Sequence, residues 1–222
     1  MASNEGNLSS KELLEAQSHI WHDMFGFMRS FSLKCAIELG IPDAVHNHGK
    51  PIALTDLAAA LSIPPCRVPS FRRLMGLLVH NGYFIRTDND IYSLTPNSRV
   101  LVRDKGVSVT PCIELVLFQP MLKPWQSLPA WLKNEQPPTA FTMCHGLPIW
   151  EAMAIMPELR KKMMEGLDSD SAIVSKVIIE DCADQFQGVK SLVEVAGNTG
   201  KIALAIAKTF PNIKCGCLSS HM

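Results

Sequence analysis

Residues Ser191–Leu218 read SLVEVAGNTGKIALAIAKTFPNIKCGCL. An apolar run, Leu192 to Val195, breaks into the turn Ala196-Gly197-Asn198-Thr199-Gly200. A helical pattern follows from about Lys201 to Thr209, with Ile202, Leu204, Ala205 and Ile206 apolar. Pro211-Asn212 punctuates, and Ile213 to Leu218 reads as a second apolar strand. Strand, glycine turn, helix and strand make one βαβ unit, whose crossover is expected to be right-handed. A helix starting after the turn points free N–H groups and its positive dipole end above the strand ends. Glycines there let a ligand approach the backbone closely. A plain tight turn between strand and helix accounts for so short a pattern equally well.

The chain around the turn narrows the reading. Taken with Ser169-Asp170-Ser171 and the run SLKCAIELGIPDAVHNHGKPIALTDLAAAL at 32–61, it resembles the plant-type S-adenosylmethionine-dependent O-methyltransferases that act on isoflavonoid, flavonoid and phenylpropanoid hydroxyls. The resemblance runs from about Lys11 to Leu218. It implies a mainly α chain with a winged-helix dimerisation domain, followed by the truncated start of an α/β Rossmann-like methyltransferase domain. On this division residues 1–10 are disordered, 11–105 form the dimerisation domain, 106–190 a helical substrate-side and linker region, and 191–222 a partial cofactor domain.

The family's loop frame is acidic-x-Gly-x-Gly-x-Gly, which falls here on Glu194, Ala196, Asn198 and Gly200, with Gly197 as an extra glycine. The aspartate that takes the ribose hydroxyls aligns with Ser219, a neutral partner that forgoes the charge-assisted bond. The implied cofactor residues are Glu194, Ala196, Gly197, Gly200 and Ser219, a degenerate set. A methyl at Ala196 or an amide at Asn198 would crowd the ligand, so S-adenosylmethionine is expected to bind poorly. On the substrate side, Met163 and Leu167 align with an aromatic and a methionine that face the phenolic ring, and Trp150 lies where it could cover it. Family members continue beyond this point, through the catalytic histidine. The chain is therefore expected to be carboxy-terminally truncated and inactive alone, and no histidine is assigned a catalytic role.

Composition sets wider bounds. The 222 residues carry 21 basic and 21 acidic side chains, so no net field draws in nucleic acid or anionic membrane. No apolar run approaches membrane-spanning length, and the opening MASNEGNLSSKE lacks the basic-then-apolar layout of a signal peptide. Seven cysteines, an odd number without a C-x-x-C pair, read as reduced thiols of a cytoplasmic protein.

Along the chain, Ser9 and Glu12 form a capping-box signature before a helical pattern that runs to about Gly40. Leu13, Ile20, Trp21, Met24, Phe25, Phe27, Met28 and Phe31 make it apolar on more faces than one subunit can cover. The resemblance implies pairing through this helix, as a homodimer or with relatives. Glu15, His19 and His22 share helical spacing but lack a further ligand, so no metal site is assigned. His46 and His48 are read as a polar loop.

Thr55 is expected to cap a short helix, Asp56 to Leu61, and a second helix runs from about Val68 to His80 with Leu74, Leu77 and Leu78 on one face. Tyr83–Arg86 and Ile91–Leu94 make a hairpin, completing a winged-helix order. Arg67, Arg72 and Arg73 would suit a DNA-reading helix, but Asp88 and Asp90 in the wing oppose phosphate contact. Prolines 120, 124 and 129 are expected to divide the stretch 107–134 into short helices. Helices at Ile149–Met156, Glu158–Leu167 and Ser171–Phe186 follow, rich in methionine that could fill a core or face a flat ligand. The rival reading of the whole is a non-catalytic dimerisation module, with a DNA-binding regulator behind it.

Overall fold

The computed structural model describes residues 8–103 and 106–218. The disorder expected of the amino-terminus and the candidate Ser219 therefore lie, wholly or in part, outside the described residues. The chain divides into two units, one ending at Thr95 and one starting at Pro96.

The first unit opens with α1, Ser10–Glu38, and the capping box is present. The Glu12 amide donates to the Ser9 hydroxyl at 3.3 Å and the Ser9 amide donates to the Glu12 carboxylate at 2.7 Å. The Ser9 hydroxyl also donates to that carboxylate at 2.6 Å, and the two bonds, from the side chain and then the backbone of Ser9, hold the Glu12 carboxyl below its usual range. Only the last third of α1 enters a core, through Ala36 and Ile37. The amino-terminal two thirds leave a run of large apolar side chains in solvent, Trp21 at 55 % and Phe27 at 57 % exposure among them.

Gly40 ends α1 in a left-handed conformation at φ 70°, as the sequence suggests, but the chain turns straight into another helix. That helix, α2, spans Ile41–Asn47 with Pro42 in its first turn, where a missing N–H costs nothing. His46 is thus helical rather than part of a loop. A two-residue strand β1, Ile52–Ala53, precedes α3, Leu54–Ala60. Thr55 is not its cap: the N-cap is Ala53, one step before the helix, and no side chain bonds there.

The helix α4 spans Val68–His80 as read, but its buried face is Phe71, Met75 and Leu78. Leu74 and Leu77 flank that stripe, because spacings of four and three follow the 3.6-residue period more closely. The hairpin β2, Phe84–Arg86, and β3, Ile91–Leu94, pairs Phe84 with Leu94. On its other edge β3 takes β1, giving an antiparallel sheet in the order β1-β3-β2. Ile41, Ile52, Leu57, Met75, Leu78 and Tyr92 are fully buried where α2, α3, α4 and this sheet meet.

The second unit begins with α5, Pro96–Arg99, and α6, Thr110–Val116. The buried Thr110 hydroxyl donates to the Leu101 carbonyl at 2.8 Å. The helix α7, Gln119–Trp131, runs through Pro124 and Pro129; of the three prolines only Pro120 stands at a break, in the first turn. Pro124 has no amide for the Pro120 carbonyl four residues back. The His145 ring nitrogen Nε2 lies 2.9 Å from that oxygen, so in the Nε2–H tautomer it supplies the missing donor. His145 ends α8, Ala140–His145, a short helix not expected from the sequence.

After α9, Ile149–Ile155, comes α10, Pro157–Asp181, continuous through Ser169-Asp170-Ser171 where two helices were expected. The serines do not break it, because their hydroxyls bond back into the helix or leave it undisturbed: Ser169 Oγ donates to the Gly166 carbonyl at 2.8 Å. Ala183–Phe186 is a 3-10 turn rather than the end of that helix. Leu115, Ala152, Met153, Leu159 and Met163 form the core of α6, α9 and α10.

The βαβ unit closes the described chain: β4, Ser191–Val195, α11, Lys201–Thr209, and β5, Lys214–Leu218. The strands pair in parallel, Ser191 opposite Lys214 and Val195 opposite Leu218. Among the described residues no helix is long and apolar enough to cross a membrane.

Candidate cofactor loop and aromatic groove

The parallel ladder runs past the end of β4, with the Ala196 amide donating to the Leu218 carbonyl at 2.8 Å. The chain then reverses through three left-handed residues, Ala196 at φ 58°, Asn198 at φ 49° and Gly200 at φ 72°. Two of the three carry side chains, and both stand where the motif has glycine. The turn thus keeps the glycine backbone without the glycines, at a local cost of about 1–2 kcal/mol for the alanine. Asparagine tolerates this region better.

A side chain at Gly197 would displace Glu194 from its present position. A Cβ built there would lie 2.3 Å from Cδ of Glu194 and 2.6 Å from its Oε1. The Glu194 side chain is folded beneath the turn, and its Oε2 accepts a hydrogen bond from the Ala203 amide at 3.0 Å. One of the free donors of the first turn of α11 is satisfied from the preceding strand, and the carboxylate sits at the positive end of the helix. Gly200 is the N-cap, and a Cβ there would touch Cβ of Cys217 at 3.3 Å.

A second carboxylate reaches the turn from outside. Asp168, midway along α10, accepts from the Thr199 hydroxyl at 2.5 Å and stands 3.5 Å from the Asn198 side-chain nitrogen. Its other oxygen lies 3.0 Å from Nζ of Lys201. Sequence reading singled out Ser169-Asp170-Ser171 next door and passed over Asp168. Nothing local marks it, since its partners lie some thirty residues away.

The substrate-side candidates differ in exposure. Met163 is 7 % exposed and packs in the core with Leu115 and Leu159. Leu167, 39 % exposed, lies one turn further along α10. Trp150, 58 % exposed, lines a groove of about 500 Å³ with Met121, Trp125, Leu128, Phe141 and Ile149, and Met121, Phe141 and Ile149 also pack against the core that holds Met163. The His145 ring lies tilted by 38° against Phe141 on that wall, centroids 4.3 Å apart. The groove is almost wholly apolar and aromatic, suited to a flat organic ring. Among the described residues no three histidine, cysteine or acidic side chains gather as a metal-binding group.

Residues 21–104 match the O-methyltransferase dimerisation domain, and residues 125–219 match the O-methyltransferase domain. The chain belongs to the plant-type O-methyltransferase family. Relatives include cephaeline 6'-O-methyltransferase of Carapichea ipecacuanha, 42 % identical over 207 residues, covering 93 % of this chain and 59 % of the relative. Trans-resveratrol di-O-methyltransferase of Vitis vinifera is 40 % identical over 220 residues, covering 96 % of this chain and 61 % of the relative. The chain thus spans about three fifths of the length of these family members. Among solved structures, the calicheamicin-biosynthesis methyltransferase CalO1 superposes with a TM-score of 0.78 at 19 % identity, over 96 % of this chain and 60 % of that one. The cofactor of the family is S-adenosylmethionine. The turn at 196–200 fits a loop for that cofactor in its backbone, since Ala196 and Asn198 both keep the left-handed conformation of a glycine.

Proposed function

We propose that the chain contributes to S-adenosylmethionine-dependent methyl transfer onto the phenolic hydroxyl of a small plant aromatic of the isoflavonoid, flavonoid or phenylpropanoid class, and that it does not catalyse the transfer alone. The observation that carries the reading is the turn at 196–200, with left-handed backbone at both substituted positions and the Glu194 side chain occupying the place a side chain at Gly197 would take. Relatives that act on resveratrol and myricetin by name support a phenolic acceptor. Glu194, Ala196, Gly197, Gly200 and Ser219 are the residues that would hold the cofactor, which when bound supplies an electrophilic methyl group. Glu194 acts from below, fixing the first turn of α11, so it shapes the cradle rather than facing a ligand. Trp150, Met163 and Leu167 are the substrate-side residues, with the Trp125 and Trp150 groove as an apolar surface that excludes water from a ring. The free thiols support a reducing, cytosolic setting.

Calorimetric titration with S-adenosylhomocysteine tests the reading. Saturable binding is expected in the natural chain, and binding at least tenfold tighter in the Ala196→Gly, Asn198→Gly double variant, which clears both side chains from the ligand's approach. No heat from either protein overturns the proposal.

A second reading is a dimerisation module that pairs with relatives, and the exposed apolar run on α1 favours it. DNA reading is disfavoured by the wing and by one of the three candidate arginines. Arg72 is ion-paired with Asp90 of the wing, and Arg86 lies 3.9 Å from the same carboxylate.

A further inference from the structure

The turn at 196–200 is held in an unfavourable conformation, and the structure shows what holds it. Ala196 and Asn198 are left-handed, a state that glycine adopts freely and alanine resists. A turn so built relaxes unless its surroundings over-determine it. Two carboxylates do so from opposite sides. Glu194 grips the helix end of the turn from within β4, through the Ala203 amide. Asp168 grips the turn itself from α10: Thr199 at 2.5 Å, Asn198 at 3.5 Å and Lys201 at 3.0 Å are consecutive along the chain apart from Gly200. Asp168 is only 22 % exposed, so these bonds are partly shielded from water.

The charge arrangement agrees. Lys201 is the first residue of α11, where a cation opposes the helix dipole. A carboxylate beside it relieves that conflict and itself lies near the positive helix end. α10 is a rigid anchor for such a clamp, 25 residues long and packed through Leu159, Met163 and Gly166.

We propose that Asp168 is a positioning residue for the cofactor loop: by clamping Thr199, Asn198 and Lys201 to α10 it keeps the turn in the left-handed form that the lost glycines would otherwise supply. The proposal rests on the reading of 196–200 as the cofactor loop, but its first test needs no ligand.

Hydrogen exchange of the whole chain is compared for the natural protein, Asp168→Asn and Asp168→Ala. The amides of Gly200, Ala203 and Leu204, bonded respectively to Gly197, Glu194 and Gly200, report the turn. Exchange at these three sites is expected to rise at least tenfold in Asp168→Ala and less in Asp168→Asn, which keeps an acceptor for Thr199. The Leu78 amide in the other unit should not change. Repeating the substitution on the Ala196→Gly, Asn198→Gly background is the decisive arm, because a turn with its glycines restored has little need of the clamp. There the rise should fall below threefold, and the same non-additivity should appear in the dissociation constant for S-adenosylhomocysteine. An equal rise in both backgrounds, or no rise in either, overturns the clamp. Failure of the titration alone, with the exchange pattern as expected, would sink the cofactor reading and leave the clamp standing. If Asp168→Ala does not fold, Lys201→Met, which removes one clamp partner and leaves the carboxylate, carries the same comparison.

Discussion

Ala196 is a residue whose backbone and side chain disagree. Its φ of 58° is a glycine value, and its methyl makes that conformation cost about 1–2 kcal/mol. Ala196→Gly should recover part of that, offset by the extra freedom glycine has in the unfolded chain. The expected net gain is about 0.5–1 kcal/mol, or roughly 1–4 °C in Tm for a chain of this size, read by thermal unfolding. Asn198→Gly should gain less, because asparagine tolerates the left-handed region and its amide lies toward Asp168. An Ala196→Gly protein that melts lower than the natural one would show that the turn relaxes out of this conformation in solution. The turn was legible at this scale because Ala196 to Gly200 is contiguous, although those five residues alone suit a plain tight turn as well as a cofactor loop. Asp168 was not legible, since nothing in Leu167-Asp168-Ser169 announces partners thirty-one residues later at Thr199.

Elements show the same divide between local and distant causes. The boundaries of α4 and α11 could be read from periodicity alone, because each is a single amphipathic stripe bounded by turn residues. The helix α7 could not: its two internal prolines signal breaks, and the repair of the Pro120 carbonyl comes from His145, on a helix not yet in view. Two-residue β1 exists only because β3 offers it an edge. In α10 the hydroxyls of Ser169 and Ser175 find acceptors on carbonyls within the helix, and its long run is supported by its packing against α6. At that contact Gly166 has no space for even one more carbon. A Cβ would meet Leu115 Cδ2 at 2.9 Å and the Pro111 carbonyl at 3.3 Å. Gly166→Ala therefore pits a helix-propensity gain of about 1 kcal/mol against overpacking of about 1–3 kcal/mol. Because one of the opposing atoms is backbone, overpacking should win, with a net loss of about 1–2 kcal/mol. Urea denaturation followed by circular dichroism measures it, and a midpoint at or above that of the natural protein would mean that α6 moves aside freely.

For the molecule as a whole the unresolved question in the energetics is α1. Its carboxy-terminal third is anchored by Ala36 and Ile37, while Leu13, Leu14, Ile20, Trp21, Met24, Phe25, Phe27, Met28 and Phe31 remain in water. Trp21 with Phe25, and Phe27 with Phe31, stack edge to face at 6.4 Å and 6.3 Å, so the aromatic surface is already ordered. A monomer with this many adjacent large apolar groups exposed is unusual, and burying each one contributes about 1.5–3 kcal/mol. Nine such side chains on one helix can supply the ~800 Å² per partner of a standard interface. The match of residues 21–104 to a dimerisation domain covers the stretch from Trp21 to Phe31. The natural chain is therefore expected to scatter light as two chains at micromolar concentration. Replacing Trp21, Phe27 and Phe31 together by serine should remove about 5 kcal/mol or more of association free energy, which is a factor of at least 10³ in the dissociation constant. The variant should run as one chain at the same concentration, with Ala36, Ile37 and the core beneath them unaffected and the far-ultraviolet circular dichroism retained. Mixing the natural chain with a full-length relative separates the two functional readings. Mixed dimers are what a partner-pairing module requires, whereas exclusive self-pairing would leave methyl transfer by its own dimer as the better account. A variant as dimeric as the natural chain would mean that another surface joins the subunits and that the apolar run on α1 has some other cover.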